Sequence, residues 1–331
     1  MVNTFADIDF SILPEGYAPL TSEPEFNPEK HLQLEEPSEV ISLKEFGYTD
    51  DELKDCPSDF GVTNIFRVLS DEGAAALYDV CKQLEAFTTS NPRIQRNTRG
   101  AVYRSKFLRD LCLSPEITTF LSRICGLDLL PHTIPHQLGH LNYAPKEVGE
   151  NVDKWHVDTL RYDYVMFVTD PTKTQGGAFQ YFKGTKAEIA ALKEAGQPLP
   201  AEKVISPAMP GPGYAIMQQG NMVVHQAKGL TAPGERITMV NGYIPRDPNF
   251  PDYTRYDQLI FADPAHVVTT EFSRHIALYS QRLLEANIVG EGFSEDKADY
   301  AQRLRDAAAM LTKAADQIDD SDAATMEHFG D

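Results

Sequence analysis

Three residues combine donor chemistry with positions that let them meet: His156, Asp158 and His225. His156 and Asp158 flank Val157 in a β-rich run, and strand side chains alternate between faces, so the two are expected to point the same way. That face offers an imidazole nitrogen and a carboxylate oxygen together. His225 ends the apolar run Met222-Val223-Val224 and can supply a third ligand from a strand pairing beside the first. Two histidines and one carboxylate on one face of an iron leave three positions open, which is what a bidentate cosubstrate plus dioxygen requires. Arg236 follows 11 residues later and opens another β-rich run. A guanidinium there can grip a remote carboxylate with paired hydrogen bonds, and Thr238, two residues on, shares its face. A His-X-Asp triplet alone is common by chance. The full order, His-X-Asp, β-rich spacer, His, short spacer, Arg, is far more selective, because every part must fall on a strand with the correct facing.

The elements that position these residues can be read from the pattern. From Asp71, the residues Ala74, Leu77, Val80, Cys81 and Leu84 recur at helical spacing behind a Ser70 or Asp71 cap, and a second helix is expected over 114–124. Between about 130 and 246 the texture changes to short β-rich runs punctuated by Gly and Pro, at 136–143, 155–169, 178–182, 214–218, 222–225 and 236–244. Several short strands of this kind point to a sandwich or barrel. The stretch 186–213 interrupts them with a helix at 187–194 and a Pro-rich return, read as a lid-like insertion. Helices are expected again at 272–285 and 297–315.

The chain has 331 residues, with 42% apolar and 24% charged residues, the usage of an ordinary globular protein. One core domain with elaborations is expected: an acidic arm at 1–60, a catalytic domain at 61–290 (helices at 70–130, a β core at about 130–246, C-terminal helices from about 270), and an acidic helix and tail at 291–331. The net charge of −19 sits at the ends, where residues 1–60 carry 15 acids against 3 bases and 291–331 carry 11 against 4. The middle is neutral. Such a surface repels a phosphate backbone, so nucleic acid is not an expected partner. No apolar run is long enough to span a membrane, and the acidic start lacks the pattern of a signal peptide. The four cysteines are widely spaced without a CxxC pair and read as reduced thiols of a cytoplasmic chain.

With these residues in view, the chain resembles the 2-oxoglutarate and Fe(II)-dependent dioxygenase superfamily, particularly its phytanoyl-CoA-hydroxylase-like branch. Besides the ligand order, the segment from Gly176-Gly177-Ala178-Phe179 to Lys183-Gly184-Thr185-Lys186 is similar to that branch's paired small residues, strand and Gly-Ser/Thr, and Asn142-Tyr143 is similar to its Asn-aromatic strand. Lys183-Gly184-Thr185-Lys186 stands where the branch has Pro-Gly-Ser-His, and Val157 where it commonly has Gln or Arg. The resemblance covers roughly 130–246. It implies a mainly β fold with flanking helices, a double-stranded β-helix (a cupin-like jelly roll) with the metal at its open end. It further implies Fe(II), 2-oxoglutarate and O2 as cofactor and cosubstrates, with ascorbate stimulatory, Arg236 on the distal carboxylate of 2-oxoglutarate with Thr238 assisting, and Asn142 near the metal. The family's halogenases have a small residue at the carboxylate position. Asp158 therefore favours hydroxylation, desaturation or oxidative cyclisation.

Substrate choice must come from residues outside the metal cluster. On a strand, His136, His140 and Asn142 share a face, and His140 is the better candidate to line the pocket, with His132 structural. Tyr162 and Tyr164 are expected to continue the ligand face and wall the cavity, while Trp155 packs on the opposite face. The acid-free basic run from Arg93 to Arg109 offers Arg99, Arg104 and Lys106 for an anionic substrate. The resulting expectation is an oxygenase for a small carboxylate or amino-acid-like metabolite in specialised metabolism. The alternatives are a protein or peptide residue hydroxylase, which needs an open groove, and a non-catalytic metal-binding jelly-roll scaffold with acidic interaction arms.

Overall fold

A computed structural model describes residues 8–91, 93–288, 297–323 and 328–330. Of the acidic ends, residues 1–7, 291–296, 324–327 and 331 lie outside the described residues.

Helix α1 (Asp71–Leu84) starts where the Ser70 side chain accepts the Gly73 N–H, and it buries Leu77, Val80, Cys81 and Leu84 along one face. Helices α2 (Lys106–Cys112) and α3 (Pro115–Cys125) are capped in the same way by Ser105 and Ser114, and α3 ends at Gly126, whose φ of 67° places it in the left-handed region that favours glycine. Their apolar faces meet Leu141, Tyr143, Tyr162, Tyr164, Met166 and Met239 in one buried cluster. The helices thus cover the outer face of a sheet.

Eight strands form the central framework: β1 (His140–Tyr143), β2 (Asp153–His156), β3 (Tyr162–Phe167), β4 (Phe179–Phe182), β5 (Val204–Ile205), β6 (Tyr214–Gln218), β7 (His225–Ala227) and β8 (Ile237–Pro245). The larger sheet contains the order β6-β3-β8-β1 and the smaller one β5-β4-β7-β2, all antiparallel. Successive strands cross between the sheets except at the β4–β5 return, which is the winding of a double-stranded β-helix. The N-terminal arm extends the larger sheet through Val40–Ser42, paired with Phe60–Thr63 beside β6. At the other margin of the smaller sheet, His328–Gly330 pairs with β2.

Alternation decides what faces the interior. On β3, Tyr162, Tyr164 and Met166 point to the helices while Val165 and Phe167 join Phe179, Tyr181 and Ile216 between the sheets. The strand is buried on both faces, which is why it reads as a nearly continuous apolar run. The 155–169 run is therefore two strands in different sheets, separated by a turn at 157–161. Likewise the expected strand at 136–143 begins only at His140, because Pro135–Gln137 forms a 3-10 turn. Helix α4 (Lys186–Glu194) packs Ile189 against Trp155, Phe182 and Val224 on the outer face of the smaller sheet. The segment after it supplies β5, so the 186–213 stretch is partly framework rather than wholly an insertion. Helices α5 (Tyr256–Ala262), α6 (Ala265–Ile288) and α7 (Lys297–Asp320) form a separate cluster around Leu259, Val268, Phe272 and Ala314. Among the described residues, no helix is long and apolar enough to cross a membrane.

Candidate metal centre

Strands β2 and β7 pair so that His156 lies opposite His225 and Asp153 opposite Ala227, three residue steps facing two. This bulge turns both Asp153 and His156 toward the interior, which regular alternation would forbid. Asp158 lies beyond the end of β2, and its N–H donates to the Gly220 carbonyl at 2.9 Å. His156, Asp158 and His225 each offer one ligand atom, all within 4.8 Å of one another. His225 Nε2 is 3.2 Å from Asp158 Oδ2 and His156 Nε2 is 3.4 Å from Asp158 Oδ1. Donors about 2 Å from a shared ion and at right angles stand about 3 Å apart, so the spacing fits one divalent metal. The tautomers fit as well: Nδ1–H of His156 donates to the Lys154 carbonyl at 2.6 Å and that of His225 to the Val223 carbonyl at 2.9 Å. Each Nε2 lone pair is thereby turned toward the cluster. Burial raises the Asp158 carboxyl pKa, but His225 and His156 outweigh it and hold the group well below its ordinary value. Asp158 is a carboxylate ready to ligate.

A cavity runs from this cluster between the sheets to Arg236, lined also by His140, Asn142, Thr238 and Phe179. Thr238 lies opposite Asn142 and Val240 opposite His140 across β8 and β1, so these side chains share the interior face. Arg236 is 3% exposed, donates from Nε to the Gly177 carbonyl at 2.7 Å and from Nη1 to Thr238 Oγ1 at 3.2 Å, and lies over the Phe167 ring. Among the described residues it has no carboxylate partner. Burial alone pushes its pKa down to about 10. Gly177 makes room for it: φ is 73°, and a Cβ there would lie 3.0 Å from Arg236 Cδ. Asn142 Oδ1 and His140 Nε2 are buried without a hydrogen-bond partner. Asp263 holds the Arg99 Nε at 2.8 Å, and Arg99 Nη1 lies 3.2 Å from His140 Nδ1. Since arginine only donates, Nδ1 accepts, and Nε2 carries the proton that faces the cavity. Burial and Arg99 hold this imidazole neutral, with its pKa well below the ordinary value.

Five residues of the centre were not among the sequence candidates: Arg93, Asp153, Asp163, Gln218 and Gly220. Arg93 clamps Asp153 through Nε and Nη2, and its Nη2 is 3.6 Å from Asp158 Oδ1. Asp163 on β3 is fully buried, accepts from Gln218 Nε2 at 3.0 Å, and leaves Oδ2 without a partner. Burial, with Asp158 beside it, pushes its pKa well above the carboxylate range. Gly220 fits between the two acids, where a Cβ would lie 2.2 Å from Asp163 Oδ2 and 3.2 Å from Asp158 Cβ. Alternation could have placed Asp163 and Gln218 inside; no local signal marks Arg93, whose partner is 60 residues away.

Other expectations are corrected. Tyr162 and Tyr164 do not wall the cavity; they point into the helix-side core, because β3 belongs to the larger sheet and its inward residues have the opposite parity. Arg99, Arg104 and Lys106 are not free for an anion. Arg99 is held by Asp263, Arg104 donates to the Gly16 and Ala18 carbonyls and lies over Phe87, and Lys106 is exposed and paired with Asp110. His136 is paired with Glu271, and His132 is stacked on His275, both away from the centre.

No family model and no curated protein matches the chain. Among solved structures, it is similar to the non-heme alpha-ketoglutarate-dependent carbocyclase SnoK from nogalamycin biosynthesis (16% identity, 63% of this chain and 88% of that one, TM-score 0.42). HygX from Streptomyces hygroscopicus, with nickel, 2-oxoglutarate and hygromycin B bound, aligns at 14% identity over 60% of this chain and 88% of its own, with a TM-score of 0.40. EctD from S. alaskensis, with 2-oxoglutarate and 5-hydroxyectoine, aligns at 14% identity over 65% and 86%, with a TM-score of 0.42. These likenesses are remote, and the functional reading rests on the geometry of the chain itself. By its own strand order the protein is a double-stranded β-helix with a His-Asp-His cluster inside it.

Proposed function

We propose that this protein is a non-haem Fe(II), 2-oxoglutarate-dependent oxygenase acting on a small organic molecule. The observation that carries the reading is Arg236: a guanidinium buried with no carboxylate partner among the described residues, in the same cavity as a three-donor metal cluster. A buried unpaired charge is costly, and a ligand carboxylate relieves that cost. A dicarboxylate whose far end reaches Arg236 while its 2-oxo acid end reaches the cluster satisfies both. His156, Asp158 and His225 hold the iron, which when bound supplies the redox chemistry that couples decarboxylation of 2-oxoglutarate to oxidation of a substrate C–H bond. Arg236 and Thr238 orient the distal carboxylate. His140 Nε2–H and the Asn142 amide give polar contacts between the two ends, and Val165, Phe179 and Val240 limit water. With Asp158 as a ligand, the outcomes we favour are hydroxylation, desaturation or ring closure of a small metabolite.

The test is release of succinate from 2-oxoglutarate by the purified protein given Fe(II) and air. Succinate above a chelator-treated control, abolished by His225→Ala, supports the reading. No succinate from the Fe(II)-loaded wild-type protein overturns it.

A further inference from the structure

A second cleft, of about 570 Å³, opens on the other side of Asp158 and is lined by Tyr48, Asp252, Lys186 and Asn221 among others. Its size suits a small ligand, roughly 300–1,000 Å³ being usual. Because Asp158 borders both spaces, a molecule held here lies next to the metal ligand without entering the Arg236 cavity.

Three of the charged groups of this cleft are paired, while Asp55 and the exposed Lys313 line it at the surface. Asp252 accepts from His275 Nε2 at 2.9 Å and from the Thr254 hydroxyl at 2.9 Å. Glu52 accepts the Thr49 N–H and hydroxyl in a capping box, and Arg255 is paired with Asp257. Lys186 differs. It is the first residue of α4, half-buried, and its Nζ donates to the Asn221 carbonyl at 3.0 Å and touches Met222 Sδ at 3.4 Å, with no carboxylate partner among the described residues. Burial lowers its pKa, and the nearby Cys56 and Glu52 offset this only in part. Asn221, only 8% exposed, lines the same cleft with its Oδ1 unpartnered. The cation and the empty acceptor meet through one residue, since Lys186 Nζ donates to the backbone carbonyl of the same Asn221 whose side-chain Oδ1 is unpartnered. Asn221 in turn follows Gly220, whose carbonyl holds the Asp158 N–H.

We infer that this cleft is the substrate site and that it takes a small molecule carrying a carboxylate, bound by Lys186, and a hydroxyl or ammonium group that donates to Asn221 Oδ1. This gives Lys186 the role that the sequence offered to Arg99, Arg104 and Lys106. The inference rests on the reading of His156, Asp158 and His225 as the reacting metal centre, but anion binding by the cleft can be measured without a metal.

The probe is 4-(trifluoromethyl)benzoate, with the corresponding primary amide as its uncharged match, followed by 19F NMR titration into the full chain after chelator dialysis and without 2-oxoglutarate. Wild-type protein should bind the benzoate at least fivefold more tightly than the amide. Lys186→Gln should remove that preference, Lys186→Arg should keep it, and Asn221→Asp, which adds a negative charge beside the ammonium, should weaken benzoate binding. Arg236→Leu should leave it unchanged. Circular dichroism identical to wild type guards against a folding defect, and Lys186→Arg serves as the folded, charge-retaining variant. No benzoate preference in wild type, a preference that survives in Lys186→Gln, or one lost only in Arg236→Leu would overturn the inference. Absence of succinate release in the earlier assay together with a Lys186-dependent benzoate preference would sink the oxygenase reading and leave the cleft standing.

Discussion

Replacing Arg236 with Leu should separate stability from function in a direction opposite to that of most core substitutions. The guanidinium is buried with no carboxylate partner among the described residues, and burial pushes its pKa down to about 10. At about 1.4 kcal/mol per tenfold change in the proton equilibrium, holding the charge there costs on the order of 3 kcal/mol. Against this stand two hydrogen bonds, to the Gly177 carbonyl and Thr238 Oγ1, worth about 1 kcal/mol each. The difference predicts that Arg236→Leu makes the ligand-free protein more stable by about 1 kcal/mol, or about 2 °C in Tm for a chain of this size. The sign with pH follows. An arginine with a lowered folded pKa destabilises the fold wherever it is protonated, so the gain persists through the neutral range and shrinks only as pH rises above about 10. The same substitution removes the partner of a ligand carboxylate, a charge-assisted pair worth about 1.5–3 kcal/mol, so the apparent 2-oxoglutarate constant should rise by about 10- to 150-fold. Differential scanning fluorimetry with and without Mn(II) and 2-oxoglutarate reads both effects. A variant several degrees less stable than wild type, or one stabilised by 2-oxoglutarate as strongly as wild type, would refute the argument.

The remaining expectations concern the cluster and its supports. His225→Ala should lose most metal affinity, measured as bound Mn(II) or Fe(II) per chain after desalting; full occupancy would remove His225 from the ligand set. Asp158 raises the His225 pKa despite burial, so protons compete with metal below that raised value, and affinity should fall as pH is lowered through it; a flat profile from pH 8 to 5.5 would contradict the arrangement. Asp163 has a folded pKa well above its unfolded one, so its contribution to stability is full below about pH 4 and is lost as pH rises toward the folded value. Asp163→Asn should therefore raise Tm relative to wild type by clearly more at pH 7.5 than at pH 4.5, and an equal shift at both would sink the idea. Gly220→Ala should lose metal binding while keeping native circular dichroism, since the new methyl collides with Asp163 Oδ2 and presses on Asp158; retained metal binding would show that the loop yields.

The ordering of His156, Asp158, His225 and Arg236 along the chain was legible because ligand chemistry constrains residue type and spacing at once. So was the facing of Arg236 and Thr238, and of His140 and Asn142, since each pair lies two residues apart on or beside a regular strand. Regular alternation misled where the backbone is irregular. His156 and Asp158 were expected to share a strand face, but β2 ends at His156, and the turn at 157–161 carries the chain into the other sheet with Asp158 fixed by Gly220. That crossing also inverted the expectation for Tyr162 and Tyr164. The basic run misled for a different reason: it is acid-free in sequence, yet its partners Asp153 and Asp263 come from 60 and 164 residues away. Lys186 was legible only as a departure from a motif, because what distinguishes it, a half-buried ammonium that makes no ion pair among the described residues, is a property of the folded surface.

The central claim is that one metal, held by His156, Asp158 and His225, and one dicarboxylate, held at its far end by Arg236, occupy the cavity together. The most direct measurement is anaerobic calorimetric titration of 2-oxoglutarate into Fe(II)-loaded wild-type protein, with the metal-free protein and Arg236→Leu as references. One molecule should bind per chain, with binding at least tenfold weaker both without metal and in Arg236→Leu. Binding that is indifferent to the metal and to Arg236, or no binding by the Fe(II)-loaded wild-type chain, would contradict the claim.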